Sequence, residues 1–399
     1  MSDKLLSVDE ALTHLLDGAR PIADRETLDA DDTLDRILAT PQVAGVNVPP
    51  HDNSAMDGYA LRVADWAEGR WLPVAQRIPA GQIGQPLAAG TAARIFTGAP
   101  IPEGADTVVI QEDCDARENE VLPTRPPKPG DNIRRAGEDI AVGQTVLRPG
   151  QRLTPARLGV AASVGATTLT VFRRLKVAVF FTGDELVMPG QPLPPGRIYN
   201  SNRATLIGLL RGLGCAVLDL GQVPDRLDAT RLTLERASRE ADVVVTSGGV
   251  SVGEEDHVKA AVETLGSIHL WKVAMKPGKP LVFGRVGEAD FLGLPGNPVS
   301  AFVVFCLFVR PFLVKRMGGE ARPPTTFTVP AGFAWSKPGK RREFLRARVE
   351  DGRAVLYPSQ SSGVLTSAAW ADGLVDLEAG ITVRDGDPVR YLPLAEMLS

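Results

Sequence analysis

The spacing of apolar and polar positions predicts helices at two places in the first half of the chain. Apolar residues recur every three or four positions over residues 7–20, and Ser7 stands where a helix N-cap is expected. The same spacing over residues 154–164, with Thr154 as the N-cap, predicts a second helix. Between them, residues 41–150 break into short β-like runs separated by proline and glycine, which predicts a β-rich segment.

From residue 176 onward, short apolar runs alternate with longer amphipathic segments. The predicted strands cover residues 177–181, 216–220, 243–246, 281–283 and 291–292, and the predicted helices cover residues 202–213, 229–240, 257–265 and 299–313. This alternation predicts an α/β domain with a doubly wound, mostly parallel sheet. Ligands of such sheets bind beyond the carboxyl ends of the strands, so the loops after Thr246 and Leu292 are the candidate binding loops. After residue 327 short β-like runs return, which predicts a small β domain.

Composition and charge narrow the classes of function. The chain has 399 residues, of which 44% are apolar, as in folded multidomain proteins. Lysine and arginine total 44 against 48 aspartate and glutamate, so no basic excess is present for a nucleic-acid backbone. The three cysteines show neither zinc nor disulfide spacing, and the N-terminal segment is too charged for a signal peptide. The apolar run 301–309 is far shorter than the roughly 20 residues of a membrane span. We therefore expect a cytoplasmic protein that binds neither nucleic acid nor membrane.

A glycine-rich loop follows the predicted strand 243–246. Its sequence, SGGVSVG over residues 247–253, lets backbone amides approach a ligand, and the helix start after it favours a negative charge. It is neither a Walker A motif nor a dinucleotide fingerprint, so an ordinary tight turn is the alternative. Glu254, Glu255 and Asp256 follow, and carboxylates beside an anion-binding loop suit a divalent cation such as Mg²⁺. For the two glutamates, interaction with the helix dipole is an equal alternative, whereas for Asp256 we favour the metal.

Two further loops of the α/β segment carry candidate binding residues. Lys276 and Lys279 stand on the stiff turn KPGKP, for which a solvated surface turn is the alternative. Residues 294–298, LPGNP, lead into another predicted helix and provide a second helix N-terminus in the same sheet. Glu185 follows the first strand and is a candidate metal ligand or base, although isolated acidic loop residues are more often only solvated. Together these features predict a pocket for a phosphorylated or oxyanionic ligand.

Polar, turn-like segments also occur in the β-rich part, at residues 52–59, 96–100 and 134–139. Asx-rich segments commonly only build turns. If the β-rich part lay over the pocket of another subunit, however, the polar residues of these three segments would contact the ligand bound there. No Ser/His/Asp or Cys/His arrangement is apparent, so covalent catalysis is not expected.

Eight short motifs are distributed in order over nearly the whole chain. They are DNSAMDGYA (52–60), IFTGAPIPEGAD (95–106), NIRRAGEDI (132–140), FTGDEL (181–186), IYNSN (198–202), TSGGVSVGEEDHVK (246–259), MKPGKP (275–280) and GLPGNPVSA (293–301). Their order and spacing resemble those of the molybdopterin molybdenumtransferases, the MoeA family that includes the E domain of gephyrin.

The resemblance implies a fold and a reaction. The fold is an elongated homodimer of four-domain subunits, whose α/β domain is similar to the molybdopterin adenylyltransferase fold. The implied domains are a helical and extended linking domain (1–48 with 140–172), a β-rich insertion domain (49–139), the α/β molybdopterin-binding domain (173–326) and a small C-terminal β-barrel (327–399). The implied reaction is Mg²⁺-dependent cleavage of adenylyl-molybdopterin, release of AMP and insertion of molybdate into the dithiolene.

The resemblance also implies the roles of particular residues. The matched catalytic positions are Asp57, Thr97, Asp139, Glu185, Asp225 and Asp256, of which Glu185, Asp225 and Asp256 are the metal ligands. Asp57, Thr97 and Asp139 are expected to reach the cleft of the partner subunit. Together with the loops above, the resemblance gives the binding residues Gly248, Gly249, Ser251, Lys276, Lys279, Pro295, Asn297, Pro298, Arg346 and Ser362. Of these, Arg346 and Ser362 match candidate molybdate contacts.

Three functions are therefore compared. The molybdenum insertase is favoured. The four-region build of the chain argues against a molybdopterin adenylyltransferase, because that activity needs only the α/β domain. The acidic and lysine positions present in this chain argue against a gephyrin-like scaffold, because a scaffold does not need them. The expected partners are the pterin substrate, molybdate and a second copy of the chain, together with the adenylyltransferase and acceptor molybdoenzymes.

Overall fold

The central feature of the fold is a six-stranded sheet between two layers of helices. A computed structural model describes residues 5–249 and 257–398, without the side chains of residues 270 and 271. Numbered along the chain within this domain, the strands are β1 (Lys176–Thr182), β2 (Ala216–Val223), β3 (Val243–Ser247), β4 (Gly266–Lys272), β5 (Pro280–Val286) and β6 (Ala289–Leu294). The helices are α1 (Ser201–Gly212), α2 (Leu227–Glu240), α3 (His257–Leu265) and α4 (Pro298–Arg316).

The strand order is β2-β1-β3-β6-β5-β4. The first four strands in this order run parallel, which confirms the prediction of a mostly parallel sheet. β5 and β6 are joined by a tight hairpin and must therefore be antiparallel, and β4 adds a second antiparallel pairing at the edge. β4 was not among the predicted strands, because its described residues are mostly exposed and give no apolar run.

The sheet is buried on both faces. Every residue of β3 is buried, as expected for a central parallel strand covered by helices. One apolar core packs α1 and α4 against one face, and a second core packs α2 and α3 against the other.

The helix α4 is longer than predicted. It combines an α-helical start, a π-helical turn (Phe305–Val309) and an α-helical end (Arg310–Arg316). Its 19 residues are long and apolar enough to cross a membrane, yet 78% of the apolar window is buried inside this protein. Burial of this kind is typical of the core helix of a globular domain.

The N-terminal part confirms the two predicted helices. The helix Val8–Gly18 begins with a capping box, in which the Glu10 amide donates to Ser7 Oγ (3.1 Å) and the Ser7 amide donates to Glu10 Oε2 (2.8 Å). The helix Pro155–Ser163 begins at Thr154, whose Oγ1 accepts from the Arg157 amide. Two antiparallel strand pairs complete this part: Arg25–Asp29 with Thr168–Phe172, and Gln42–Val43 with Thr145–Leu147.

The predicted β-rich segment forms a second six-stranded sheet. Its strands are Gly58–Leu61, Leu72–Ile78, Ala92–Ile95, Thr107–Ile110, Cys114–Ala116 and Glu120–Pro123. Two small apolar clusters pack against it, and the short pair Asn53–Ser54 with Ile133–Arg134 lies beside it. We call this part the insertion domain.

The C-terminal part forms a third sheet that is hydrogen-bonded to the α/β domain. Its strands are Phe327–Pro330, Arg342–Glu350, Arg353–Leu356, Gly373–Leu377 and Pro388–Pro393, with the short helices Thr366–Trp370 and Ala395–Leu398. A bridge between Ala331 and Ala354 links the first strand to the third and curls the sheet. The short strand Met275–Lys276 of the α/β domain pairs in parallel with Arg342–Glu350, so the two domains meet at the KPGKP turn.

Candidate functional site

A cleft opens at the carboxyl ends of β1, β3 and β6, the edge at which such sheets bind ligands. It consists of two adjoining cavities of about 720 Å³ and 620 Å³. The two cavities share the lining residues Glu185, Gly248, Gly296 and Asn297. We call the larger one the basic cavity and the smaller one the neutral cavity.

The basic cavity carries an excess of positive charge. Its described lining includes the cations Lys276, Lys279 and Arg341 against the single carboxylate of Glu185. The other lining residues are Gly248, Gly249, Pro277, Gly278, Pro280, Pro295, Gly296, Asn297, Ser300, Gln360, Ser361 and Ser362. The structure thus brings eight of the predicted positions, from four loops and the C-terminal domain, around one space. A concave site with this charge favours phosphate or another oxyanion.

The two glycines of the loop after β3 are required by its geometry. Gly248 has φ +97°, and a Cβ at this position would lie 2.5 Å from the Thr182 carbonyl oxygen. Gly249 has φ +62°, and its Cβ would lie 2.6 Å from a methyl carbon of Val258. Only glycine adopts this conformation in this space without strain, so the loop follows the sheet edge closely and its backbone borders the cavities.

Asn202 holds this loop against the loop that precedes α4. Its Nδ2 donates to Ser247 Oγ (2.8 Å) and to the Gly296 carbonyl (2.7 Å), and Ser247 Oγ donates to the Pro295 carbonyl (2.9 Å). Asn200 caps α1, because its side chain accepts from the Arg203 amide. These are the two asparagines of the IYNSN motif. The sequence predicted a capped helix beginning at residue 202, whereas the structure begins it at Ser201 with Asn200 as the cap. The role of Asn202 was not predicted, because its hydrogen bonds join segments that are distant in the chain.

The KPGKP turn is fixed by the C-terminal domain. The Lys276 ammonium lies 3.5 Å from a carboxylate oxygen of Glu343, a side chain that is only 3% exposed. Neither Glu343 oxygen accepts a hydrogen bond from the described residues, so Lys276 is its charge partner there. Arg341 donates from Nη1 to the Met275 carbonyl (3.0 Å). Sequence reasoning missed Arg341 and Glu343, although they lie five and three residues before the matched Arg346.

Arg346 lies behind the basic cavity. It is buried, and its guanidinium donates to Ser367 Oγ, to the Phe344 carbonyl and to the Ser361 carbonyl. Burial lowers the pKa of Arg346 to about 10. Ser361 and Ser362 line the cavity, so Arg346 contacts the cavity wall through the Ser361 carbonyl.

The predicted metal ligands are only partly described. Glu185 is exposed in both cavities, and Asp225 accepts a hydrogen bond from Thr182 Oγ1 (3.1 Å) at the end of β1. Asp256, together with Ser251, Glu254 and Glu255, lies outside the described residues. In the ranges 5–249 and 257–398 no three His, Cys, Asp or Glu side chains form a metal-binding group.

The predicted residues of the insertion domain lie apart from both cavities, whose described lining contains no residue of 49–139. Asp57 and Thr97 are adjacent: Asp57 Oδ1 accepts from the Thr97 amide (2.8 Å) and from Thr97 Oγ1 (2.7 Å). These hydrogen bonds, the amide first, lower the pKa of Asp57. Asp139 is exposed at the edge of the domain, where its amide donates to the Val48 carbonyl.

Models of three sequence regions match the chain. Residues 6–165 match the MoeA N-terminal region (domains I and II), residues 178–315 match a probable molybdopterin binding domain, and residues 328–394 match the MoeA C-terminal region (domain IV). These three matches and the cleft define a multidomain protein built around a molybdopterin-binding type of α/β domain.

Individual relatives agree with this class. The molybdopterin molybdenumtransferase of Haemophilus influenzae is 42% identical over 345 residues, which cover 86% of this chain and 85% of the relative. Molybdopterin molybdenumtransferase 2 of Mycobacterium tuberculosis is 40% identical over 360 residues, with 86% and 88% covered. The crystal structure of the MoeA protein of Pyrococcus horikoshii superposes with a TM-score of 0.84 at 29% identity and covers 98% of this chain and all of that one. The chain belongs to the MoeA family of molybdopterin molybdenumtransferases.

Proposed function

We propose that the protein is the molybdenum insertase of molybdenum cofactor biosynthesis. It binds adenylyl-molybdopterin and hydrolyses the phosphoanhydride bond, so that water adds to phosphorus as AMP leaves, and it joins molybdate to the dithiolene, whose sulfurs replace two oxygen atoms that leave as water. The observation that supports this most is the basic cavity, where Lys276, Lys279 and Arg341 surround a space beside the glycine loop. The two curated relatives above are named molybdopterin molybdenumtransferases, which supports the transfer of molybdenum.

The two lysines orient the oxyanion groups of the substrates. An ammonium on a flexible stem acts as a mobile point charge, and Glu343 limits the movement of Lys276. The start of α4, at Asn297 and Pro298, adds the positive end of a helix dipole on the other side of the cavity. Phosphate and molybdate are therefore held by charge, without a covalent intermediate on the protein.

Glu185, Asp225 and Asp256 are the residues that would hold Mg²⁺. Hard carboxylate oxygens suit this ion, and among the described residues no hydrogen bond or ion pair engages the Glu185 carboxylate. When bound, Mg²⁺ offsets the negative charge that develops on the phosphates during cleavage.

We further infer that the active protein is a homodimer. Each subunit has four domains: a linking domain made of residues 1–48 and 140–172, the insertion domain (49–139), the α/β domain (173–326) and the C-terminal domain (327–399). The three separate sheets support the division, and the bridge between Ala331 and Ala354 supports a small barrel at the C-terminus. In the dimer the insertion domain brings Asp57, Thr97 and Asp139 to the cleft of the partner subunit. The three free cysteines favour a reducing compartment, the cytoplasm.

The direct test is release of AMP from adenylyl-molybdopterin by the purified protein with Mg²⁺, with and without molybdate. We expect release that depends on molybdate and yields active cofactor. Asp256→Asn should abolish it while the circular dichroism spectrum and the dimer stay unchanged.

Two other results would contradict the proposal. Consumption of ATP with free molybdopterin would identify an adenylyltransferase. A stable dimer without either activity would indicate a binding scaffold.

A further inference from the structure

Arg94 lies beside the Asp57 and Thr97 pair of the insertion domain. It stands on the strand Ala92–Ile95, which pairs with the strand Gly58–Leu61. Asp57 directly precedes the second of these strands, and Thr97 follows the first after one further residue. Arg94 is therefore on the strand that leads to Thr97 and is paired with the strand that leads away from Asp57.

The guanidinium of Arg94 joins the chain segments on both sides of Asp57. Its Nη1 donates to the carbonyl of Gly58, the residue directly after Asp57 (2.9 Å). Its Nη2 donates to Gln111 Oε1 (2.6 Å), and the Gln111 amide donates to the Asp57 carbonyl (3.0 Å). Arg94 thus fixes the backbone at Asp57, while the Thr97 amide and hydroxyl hold the carboxylate.

Two aromatic rings hold the same guanidinium from its faces. Its central carbon lies 5.0 Å from the ring centroid of Tyr59 and 4.7 Å from that of Phe96. Cation–π contacts at this distance are favourable and, because guanidinium is flat, they also fix its plane. Among the described residues no carboxylate forms a salt bridge with Arg94, so its positive charge acts on the acidic groups nearby. The hydrogen bonds from Thr97 lower the pKa of Asp57 most, and the charge of Arg94 adds to this effect.

We propose that Arg94 is a positioning residue for Asp57: it holds the chain on both sides of Asp57, so that the carboxylate keeps its two hydrogen bonds to Thr97 and a fixed direction. The inference rests on the proposed function, in which the insertion domain brings Asp57 to the cleft of the partner subunit. A carboxylate that acts on a substrate held by another subunit needs its direction fixed beforehand, because a misplacement of about 1 Å can lower a rate about a hundredfold.

The first test is a carbon-13 NMR titration of the Asp57 carboxyl in the full-length protein. Arg94→Gln removes the charge and the two-sided anchor and should raise the midpoint, whereas Arg94→Lys keeps the charge and should raise it less. Gln111→Ala removes one of the two acceptors of Arg94 and should also give a smaller rise. Arg77→Gln is the matched control and should leave the midpoint unchanged. Arg77 lies over the same Phe96 ring (4.4 Å), but among the described residues it makes no hydrogen bond to the Asp57 segment.

The second test is AMP release, which separates positioning from a purely structural role. Arg94→Gln should lower kcat by about tenfold to a hundredfold and change KM by less than about twofold, because the substrate is bound by the cleft of the other subunit. Arg94→Lys should restore part of the rate. Circular dichroism checks the fold of each variant, and if Arg94→Gln does not fold, the exposed position in Gln111→Ala decides in its place.

The opposite results would overturn the positioning role. They are an unchanged Asp57 midpoint in Arg94→Gln, an equal rise in Arg77→Gln, or an unchanged kcat in Arg94→Gln. If the unaltered protein releases no AMP, the proposed function fails, whereas the titration still decides whether Arg94 positions Asp57.

Discussion

At the scale of single residues, the pair Asp57 and Thr97 gives a direct prediction about charge. Two hydrogen bonds from Thr97 favour the ionised form of Asp57 and lower its pKa from the ordinary 3.8. The stabilisation that they provide is therefore present above pH 3.8 and is lost as the pH falls through the lowered value. A carbon-13 NMR titration of the Asp57 carboxyl should show a midpoint below 3.8, and Thr97→Ala should raise it because the hydroxyl donor is removed. Thr97→Ser retains both donors and should leave the midpoint unchanged; an unchanged midpoint in Thr97→Ala would contradict the assignment.

Arg346 gives a prediction about stability. It is buried with three neutral acceptors, so Arg346→Lys keeps a charge but leaves some of these acceptors without a donor. We expect the free energy of unfolding to fall by about 2–4 kcal/mol in urea denaturation. Arg384→Lys, at an exposed position of the same domain, should change it by less than about 0.5 kcal/mol. Equal effects of the two substitutions would mean that the buried hydrogen bonds contribute little.

At the scale of elements, the loop after β3 depends on the absence of a side chain at Gly248. Gly248→Ala combines an unfavourable positive φ with a Cβ only 2.5 Å from the Thr182 carbonyl oxygen, so the loop must move. We expect a loss of about 2–4 kcal/mol in urea denaturation and loss of the stabilisation by added phosphate.

Gly196→Ala is the matched control for this change. Gly196 has φ +80°, but a Cβ there meets nothing within 4 Å, so the substitution carries only the conformational cost of about 1 kcal/mol. Phosphate should still stabilise this variant. If Gly248→Ala also kept its response to phosphate, the glycine loop would not form part of the anion site.

At the scale of the whole molecule, the separation between the insertion domain and the cavities predicts a site shared between subunits. In one chain no described residue of 49–139 lines either cavity. Mixed dimers of Asp57→Ala and Asp256→Ala chains would then contain one intact site, made from the unaltered domain of each chain. Coexpression of the two inactive variants should restore about one quarter of the activity, measured as AMP release.

Coexpression of Asp57→Ala with Thr97→Ala provides the control. Both changes lie in the same domain, so each shared site receives one altered insertion domain and no activity should return. Absence of restoration in the first mixture as well would show that each subunit uses its own insertion domain.

Much of the fold followed from local sequence patterns. The capping box at Ser7 and Glu10 and the buried run of β3 depend on neighbouring residues, and both were predicted. The edge strand β4 was not predicted, because most of its described residues are exposed and give no apolar run. The strand Gly373–Leu377 was not predicted either; it is completed by pairing with Arg342–Glu350 and Pro388–Pro393. The length of α4 was underestimated at its end: the helix continues to Arg316 and stops where Gly318 (φ +83°) and Gly319 donate back to the last turn.

The chemistry of this protein is readable from its amino-acid sequence alone: the glycine loop, the lysine turn and the ordered motifs that place it in its family. These features are local, because backbone conformation and charge depend on residues close together in the chain. Folding in three dimensions brought Arg341 and Lys276 into the lining of one cavity, buried Glu343 against Lys276, and let Asn202 join the loop after β3 to the loop before α4. Such contacts join residues that are tens of positions apart, and their distances depend on how the sheets and domains pack.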